Sequence, residues 1–146
     1  MATGECVTTA ESCTGGYIAK VLTDIAGSSE WFEGGVICYS NAAKVRQLGV
    51  SKRLLARHGA VSAAVARAMA RGAMKRAGVA RAVAVTGIAG PTGAVPGKPI
   101  GTVWFGFAGA GAGAARVRVV RRRFRGGRDA VRRQAVAFAL RQLARP

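Results

Sequence analysis

Three apolar segments of this 146-residue chain are each followed by a polar turn that carries reactive side chains. Ser12 lies in the first turn, Tyr39 and Lys44 lie in the second, and Thr86 opens the third. The three turns contain no histidine, and their only carboxylate is that of Glu11. A hydroxyl nucleophile needs a neighbouring base, and a lysine in its neutral form is a base that suits this set. The pattern therefore favours a Ser12 nucleophile activated by Lys44.

The local sequence also favours an uncharged Lys44. Ser40 is a predicted N-cap, which places Lys44 at the end of the first helical turn. There the positive end of the helix dipole disfavours a cation by about 0.3–1 kcal/mol, and burial would lower the pKa of the amine further. A neutral lysine can take the serine proton, and general-base help of this kind contributes about 10²–10⁴-fold. The alternative is that Lys44 is solvated on a helix surface, as most lysines are.

The other groups in these turns have structural explanations beside the chemical ones. Ser12 can satisfy backbone groups of its own turn. Cys13 is either a second candidate for the nucleophile or a small core residue, and His58 precedes a glycine at a predicted helix end. The glycines around Thr86 allow close approach of the backbone, whose N–H groups are candidates for an oxyanion hole worth about 3 kcal/mol for each donor. This loop matches neither the P-loop nor the dinucleotide-binding pattern.

The charge distribution excludes several kinds of site. The chain has 23 Lys and Arg against 6 Asp and Glu, a formal net charge of +17. No acid lies between Glu33 and Asp129, and His58 is the only histidine. EF-hands, two-metal centres, glycosidase carboxylate pairs, His-rich zinc sites and Ser-His-Asp triads are therefore disfavoured. The excess of cations predicts only non-specific binding of nucleic acid.

The cysteines and the apolar runs indicate the compartment. Cys6, Cys13 and Cys38 are odd in number and have no CxxC spacing, which is typical of reduced thiols in a cytoplasmic protein. No apolar run approaches the roughly 20 residues that span a bilayer. The N-terminus lacks the basic and apolar regions of a secretion signal. We therefore expect a cytoplasmic protein that does not contact a membrane.

Strand and helix patterns alternate along the chain, which predicts a single α/β layered domain. Thr14 is a predicted N-cap for the first helix, and Val131, Ala135, Phe138 and Leu140 have helical spacing in the last. The predicted strands cover residues 6–10, 36–39, 81–85, 101–108 and 116–124, and the predicted helices cover residues 17–22, 41–48, 52–58, 63–77 and 128 onward.

The arrangement of these elements should bring the polar turns together. Where strands of a sheet run in parallel, their ends meet at one edge, which is where α/β proteins usually bind ligands. Each of the three turns follows a predicted strand, so we expect them to meet at that edge. Alternating Arg and Val in residues 116–124 predict an edge strand with one dry face, and the Gly and Ala of residues 109–113 predict a flexible turn.

The motifs together resemble the CinA C-terminal domain family, in order and over nearly the whole chain. They are TAESCTGG (9–16), GSS (27–29), GGVICYSNAAK (34–44), LGV (48–50), GAVS (59–62), TGIAGPTG (86–93), KPIGTVW (98–104) and RDAVRRQAVAFAL (128–140). The resemblance implies one domain over residues 1–146, with a three-layer α/β/α fold and a mixed sheet. Stand-alone members are nicotinamide-nucleotide amidases, so it also implies hydrolysis of nicotinamide mononucleotide to nicotinate mononucleotide and ammonia. This reaction salvages pyridine nucleotides without a metal or cofactor.

The resemblance also implies a role for individual residues. Ser12 matches the nucleophile and Lys44 its base, whereas Tyr39 and Thr86 match polar residues that line the site. Arg128 matches the arginine of a GDR motif at the last helix, as a contact for the 5′-phosphate or for the partner in the homodimer that the family implies. The residues expected to contact substrate are Cys13, Thr14, Gly15, Gly16, Gly87 and Arg128.

Two features depart from the family's pattern. Only residues 1–5 precede the first predicted strand, where members usually carry a helix. We therefore expect the usual N-terminal helix to be missing, with an effect on stability more than on chemistry. The GDR motif reads Gly126-Gly127-Arg128, without its acid.

Two other functions compete with the amidase. The arginine run at 121–123 and the many cations near it suggest a nucleic-acid-binding module, although a solvated edge strand explains them too. A catalytically idle family member is the second alternative, which the intact Ser12, Lys44 and Thr86 disfavour.

Overall fold

The structure, a computed structural model, describes residues 6–109 and 116–144. The elements alternate in the predicted order, and most bounds agree to within two residues, although the second strand begins four residues earlier. The strands are β1 (Val7–Glu11), β2 (Phe32–Ile37), β3 (Arg81–Gly87), β4 (Thr102–Gly109) and β5 (Arg116–Arg123). The helices are α1 (Tyr17–Thr23), α2 (Asn41–Leu48), α3 (Lys52–His58), α4 (Ala63–Ala77) and α5 (Arg128–Leu143), with a 3₁₀ turn at Ser28–Glu30.

The five strands form one sheet in the order β2-β1-β3-β4-β5. Strand β1 is parallel to both β2 and β3, whereas β4 is antiparallel to β3 and to β5. The mixed sheet expected from the family resemblance is therefore confirmed. The parallel group β2-β1-β3 is the part that matters for function, because its three carboxyl ends lie at the same edge.

Helices cover both faces of this sheet. Apolar residues of α1 and α5 pack with Val83, Val85 and Phe105 on one face. Helices α2, α3 and α4 pack on the other, against small side chains that include Ala82 and Ala84. The approach of α4 is close there, since a Cβ at Gly106 would lie 2.4 Å from the Ala66 carbonyl oxygen. The three-layer α/β/α architecture is confirmed.

Serine caps position the helices of the α2–α4 layer. The hydroxyls of Ser40, Ser51 and Ser62 accept hydrogen bonds from the third residue of α2, α3 and α4, as such caps do. The prediction of a Thr14 cap for α1 is wrong. The N-cap of α1 is Gly16, which has a left-handed conformation and no side-chain cap. A side-chain cap is not needed, because the Glu11 carboxylate accepts hydrogen bonds from the N–H groups of Gly16, Ile18 and Ala19 at this helix end.

The edge position of β5 is confirmed, and its arginines are exposed, but two of them also stack on aromatic rings. The Arg118 guanidinium lies over the Phe107 ring and that of Arg122 lies over the Phe138 ring. The flexible turn predicted at 109–113 falls, after Gly109, outside the described residues, as does the segment before Cys6. Among the described helices, none is long and apolar enough to cross a membrane.

Candidate active site

The register of the parallel strands brings the three polar turns together. Glu11 pairs with Ile37 of β2 and with Val85 of β3. The next residue on each strand is therefore at the same level, and these residues are Ser12, Cys38 and Thr86. A cleft of about 210 Å³ opens at this edge. It is lined by Ser12, Cys13, Tyr39, Lys44, Ala60, Val61, Thr86, Gly87, Ala89 and Arg128.

Ser12 and Lys44 are in direct contact in this cleft. The Lys44 Nζ lies 3.0 Å from the Ser12 Oγ, 2.9 Å from the Cys38 carbonyl oxygen and 2.9 Å from the Tyr39 carbonyl oxygen. Lys44 is only 1% exposed, and Ser12 is also buried. Ser12 directly follows β1, whereas Lys44 lies on α2 after β2, 32 residues away in sequence. The pairing of β1 with β2 therefore brings the two side chains together.

The surroundings of Lys44 favour the neutral amine. Burial lowers the pKa of Lys44 below its ordinary value, because removal from water destabilises the ammonium. No carboxylate lines the cleft to restore that charge. A neutral amine has two N–H donors and one lone pair. If the two N–H groups donate to the carbonyl oxygens of Cys38 and Tyr39, the lone pair faces the Ser12 hydroxyl. This is the arrangement of a general base.

Cys13 is a poor nucleophile in this setting. Its side chain packs in the core cluster beneath α1 and α5. Burial raises the pKa of its thiol to about 12, so that the reactive thiolate is scarce at neutral pH. Burial likewise raises the pKa of Cys38 to about 11. Of the two candidates in the first turn, the geometry favours the serine.

Tyr39 and Arg128 form the outer wall of the cleft. The Tyr39 side chain is 58% exposed, and its hydroxyl accepts a hydrogen bond of 3.0 Å from Arg128 Nη2. Arg128 Nη1 donates to the Gly90 carbonyl oxygen at 2.9 Å. An exposed cation thus stands at the mouth of a cleft that lacks any other free charge.

Thr86 and Gly87 are held by the neighbouring elements. The Thr86 hydroxyl donates to the Ala60 carbonyl oxygen at 2.9 Å and is buried, so it ties β3 to the loop before α4. A Cβ at Gly87 would lie 2.7 Å from a methyl of Val103, so strand packing requires this glycine. The Ile88 N–H donates to Thr102 and the Ser12 N–H to Val85, so neither N–H is free to bind an oxyanion.

Three of the expected contact residues lie outside the cleft lining. Thr14 is fully buried, and its carbonyl oxygen accepts from Tyr17 N and from Arg132 Nη2. Gly15 and Gly16 have positive φ angles of 61° and 93°, a conformation that glycine adopts without strain. Their role is the shape of the turn that presents Ser12.

The family follows from comparison with known proteins. The family model described as the CinA C-terminal domain matches residues 1–146. This chain belongs to that family. The nicotinamide-nucleotide amidohydrolase PncC of Escherichia coli strain K12 is 58% identical to the CinA domain described here over 143 residues, covering 97% of this chain and 84% of the relative. The protein of the same name from Pseudomonas putida is 55% identical over 134 residues, 92% of this chain and 81% of its own length.

Solved structures agree with this assignment. The CinA superfamily protein of Klebsiella pneumoniae 700603 superposes on this CinA domain with a TM-score of 0.91 and 42% identity. The match covers 97% of this chain and 86% of that one. The family resemblance of the sequence motifs is therefore confirmed, and so is the fold it implied.

One functional residue of the CinA domain was missed by the sequence analysis, which treated Glu11 only as an acid in a turn. Its buried carboxylate accepts hydrogen bonds from the N–H groups of Gly16, Ile18 and Ala19 at 3.1, 3.0 and 2.8 Å. It therefore fixes the turn between Ser12 and α1. The available signal was a carboxylate just before a helix whose first turn has no acid.

Proposed function

We propose that this CinA domain hydrolyses the carboxamide of nicotinamide mononucleotide to nicotinate mononucleotide and ammonia, as a step of pyridine nucleotide salvage. The names of its relatives support the substrate. The observation that carries the proposal is the buried Lys44 Nζ, 3.0 Å from the Ser12 Oγ, with its pKa lowered by burial. A hydroxyl paired with an uncharged amine is suited to acyl transfer without a metal.

The reaction proceeds in two halves. In the first, the Ser12 Oγ attacks the carboxamide carbon while Lys44 takes the hydroxyl proton. The C–N bond then breaks as Lys44 returns the proton to the departing nitrogen, which leaves as ammonia and an acyl-Ser12 ester. In the second half, water attacks the ester, Lys44 accepts a proton from that water, and Ser12 regains its hydrogen as the carboxylate product leaves.

Arg128 and Tyr39 hold the rest of the substrate. A guanidinium at the cleft mouth matches the phosphate of a mononucleotide, since Arg binds phosphate oxygens with paired donors. Arg128 can exchange its bond to Tyr39 for a phosphate because both side chains are exposed. Tyr39 then retains a free hydroxyl for the ribose or the amide. The enzyme is proposed to act in the cytoplasm as a homodimer, as the family implies, with no cofactor.

The test is the release of ammonia from nicotinamide mononucleotide. We expect activity in the unmodified protein, none above background in Ser12→Ala, and a loss of about 10²–10⁴-fold in Lys44→Ala. The matched controls are Ser29→Ala and Lys75→Ala, which remove the same groups from exposed positions and should keep full activity. Full activity in Ser12→Ala would refute the mechanism. Activity on another carboxamide, without activity on nicotinamide mononucleotide, would refute the proposed substrate while leaving the mechanism intact.

A further inference from the structure

The surface charge is divided between the two helical layers. Helices α2, α3 and α4 contain no acidic residue, since none lies between Glu33 and Asp129. Of the exposed acids, Asp24, Glu30 and Asp129 belong to the segments around α1 and α5. The fourth, Glu33 on β2, lines a cleft with Arg76 at the end of α4. The exposed cations of the α2–α4 layer, which we name the α2–α4 face, are Arg46, Lys52, Arg53, Arg57, Arg67, Arg71, Lys75 and Arg76.

Most of these cations make no hydrogen bond or ion pair within the described residues, whereas three arginines in the middle of β5 contact neighbouring groups. On the α2–α4 face only Arg67 makes a hydrogen bond within the described residues, to the Val117 carbonyl oxygen at 3.2 Å. In β5, Arg118 donates to Gln142 and Arg121 donates to the Gly97 carbonyl oxygen. Two members of the arginine run that first suggested nucleic-acid binding, Arg121 and Arg122, are therefore held by contacts with neighbouring groups, although they remain exposed. The larger group of cations without such contacts lies on the α2–α4 face.

The cations of the α2–α4 face form a continuous surface. Arg67, Arg71 and Lys75 are four residues apart on α4, so they lie on one side of the helix at steps of about 6 Å. Helix α3, which packs against α4, adds Arg53 and Arg57. Like charges at this density repel one another, and a polyanion that neutralises several of them at once gains the entropy of counterion release.

The chemistry of the face indicates which polyanion it fits. Its exposed residues include no aromatic side chain, and the exposed large apolar residues Ile25, Ile37, Tyr39 and Val95 lie outside its three helices. Single-stranded nucleic acid requires aromatic stacking platforms, and a membrane surface requires apolar side chains that insert. The phosphate backbone of a duplex requires neither aromatic nor inserting apolar side chains. Arginine, which binds phosphate oxygens with paired donors, is the commonest cation on the face.

We propose that the α2–α4 face binds the phosphate backbone of double-stranded nucleic acid without reading its sequence. This inference does not depend on the amidase, because no cation of the face lines the catalytic cleft. Binding is sequence-independent, since phosphate contacts fix position and carry no base information.

The experiment compares two triple variants that both lower the formal net charge by three. Arg53→Gln/Arg57→Gln/Arg71→Gln changes the face, and Arg116→Gln/Arg125→Gln/Arg141→Gln changes exposed arginines outside it. Binding of a fluorescent 20-base-pair duplex is measured by anisotropy at several salt concentrations. We expect the face variant to bind roughly tenfold more weakly or worse at 0.1 M salt, and its log–log salt slope to become shallower by about two to three. The other variant should change affinity by less than about threefold.

Three outcomes would overturn the proposal. Equal losses in the two variants would show that binding follows total charge and not the face. Tighter binding of a single strand than of the duplex, or equal binding of anionic phospholipid vesicles, would show that the ligand class is wrong. Circular dichroism checks that both variants fold, and charge reversal of Arg57→Glu/Arg71→Glu against Arg125→Glu/Arg141→Glu repeats the comparison with a larger change of charge at two positions of each set.

Discussion

At the scale of residues, the chemistry depends on the state of one amine. Lys44 is buried, and that burial lowers its pKa. Besides Ser12, its amine contacts two carbonyl oxygens, which accept hydrogen bonds from it. A neutral amine satisfies both carbonyls and still presents a lone pair to Ser12. The site therefore needs no imidazole, in a chain whose only histidine is exposed at the end of α3.

The first prediction separates charge from basicity at position 44. Lys44→Arg retains a long cationic side chain with donors for the two carbonyls, but a guanidinium does not lose its proton in a protein. We expect kcat for ammonia release to fall by about 10²–10⁴-fold. Lys75→Arg, at an exposed position of α4, is the control. Substantial activity in Lys44→Arg would mean that position 44 acts only as a positive charge.

A second prediction concerns the rival nucleophile. Cys13→Ala removes a thiol whose pKa is raised to about 12 by burial, so kcat should stay within a few-fold of the unmodified value. The cost should appear in stability instead, at roughly 1 kcal/mol for the small cavity left in the core. Steady-state kinetics and urea denaturation measure the two effects. If the Cys13→Ala variant remains folded but loses turnover, Cys13 and not Ser12 would have to be assigned as the nucleophile.

At the scale of elements, two local devices hold the catalytic pair in place. The Glu11 carboxylate fixes the start of α1 and with it the turn that presents Ser12. The Ser40 cap fixes the start of α2, which carries Lys44. Each device acts on one member of the pair, so their effects on activity can be separated from their effects on stability.

Replacing Glu11 tests the first device. In Glu11→Gln one carboxylate oxygen becomes an amide NH₂, which faces a backbone N–H without an acceptor. We expect the free energy of unfolding to fall by about 1–3 kcal/mol, and kcat to fall through misplacement of Ser12 by up to about 100-fold. Glu33→Gln, at an exposed position of β2, should change neither. A Glu11→Gln enzyme with normal kcat would limit Glu11 to a purely structural role.

The second device has a matched control in the chain itself. Ser40→Ala and Ser51→Ala each remove one helix cap of the same type and should each cost about 1 kcal/mol of stability. Only Ser40→Ala should also lower kcat, because Ser40 follows the Tyr39 carbonyl that holds Lys44. Chemical denaturation and ammonia release are measured on both. Equal effects on kcat would show that activity follows global stability.

At the scale of the whole molecule, features with local causes were predictable from the sequence. Ser40, Ser51 and Ser62 start helices through contacts only three residues away. The meeting of the polar turns followed from one tertiary assumption, that β1, β2 and β3 are parallel. The contact between Ser12 and Lys44 depended on that assumption, together with the absence of other bases.

The features that escaped prediction depend on packing across elements. Glu11 acts on N–H groups up to eight residues away, after a turn whose path the sequence does not specify. The Arg118 and Arg122 side chains lie over rings of β4 and α5, so a pattern read as a solvated edge is partly packed. Thr14 is fully buried and is absent from the lining of the cleft, and its carbonyl oxygen accepts hydrogen bonds from Tyr17 of α1 and Arg132 of α5.

The central claim, an uncharged Lys44 beside Ser12, is tested most directly by NMR titration of the lysine side chains. The chain contains five lysines, and the resonance missing from Lys44→Arg identifies Lys44. We expect this amine to lose its proton at a lower pH than the other four, and kcat/KM for ammonia release to rise with pH through the same midpoint. A Lys44 resonance that titrates with the others near the ordinary lysine pKa of about 10.4 would contradict the account.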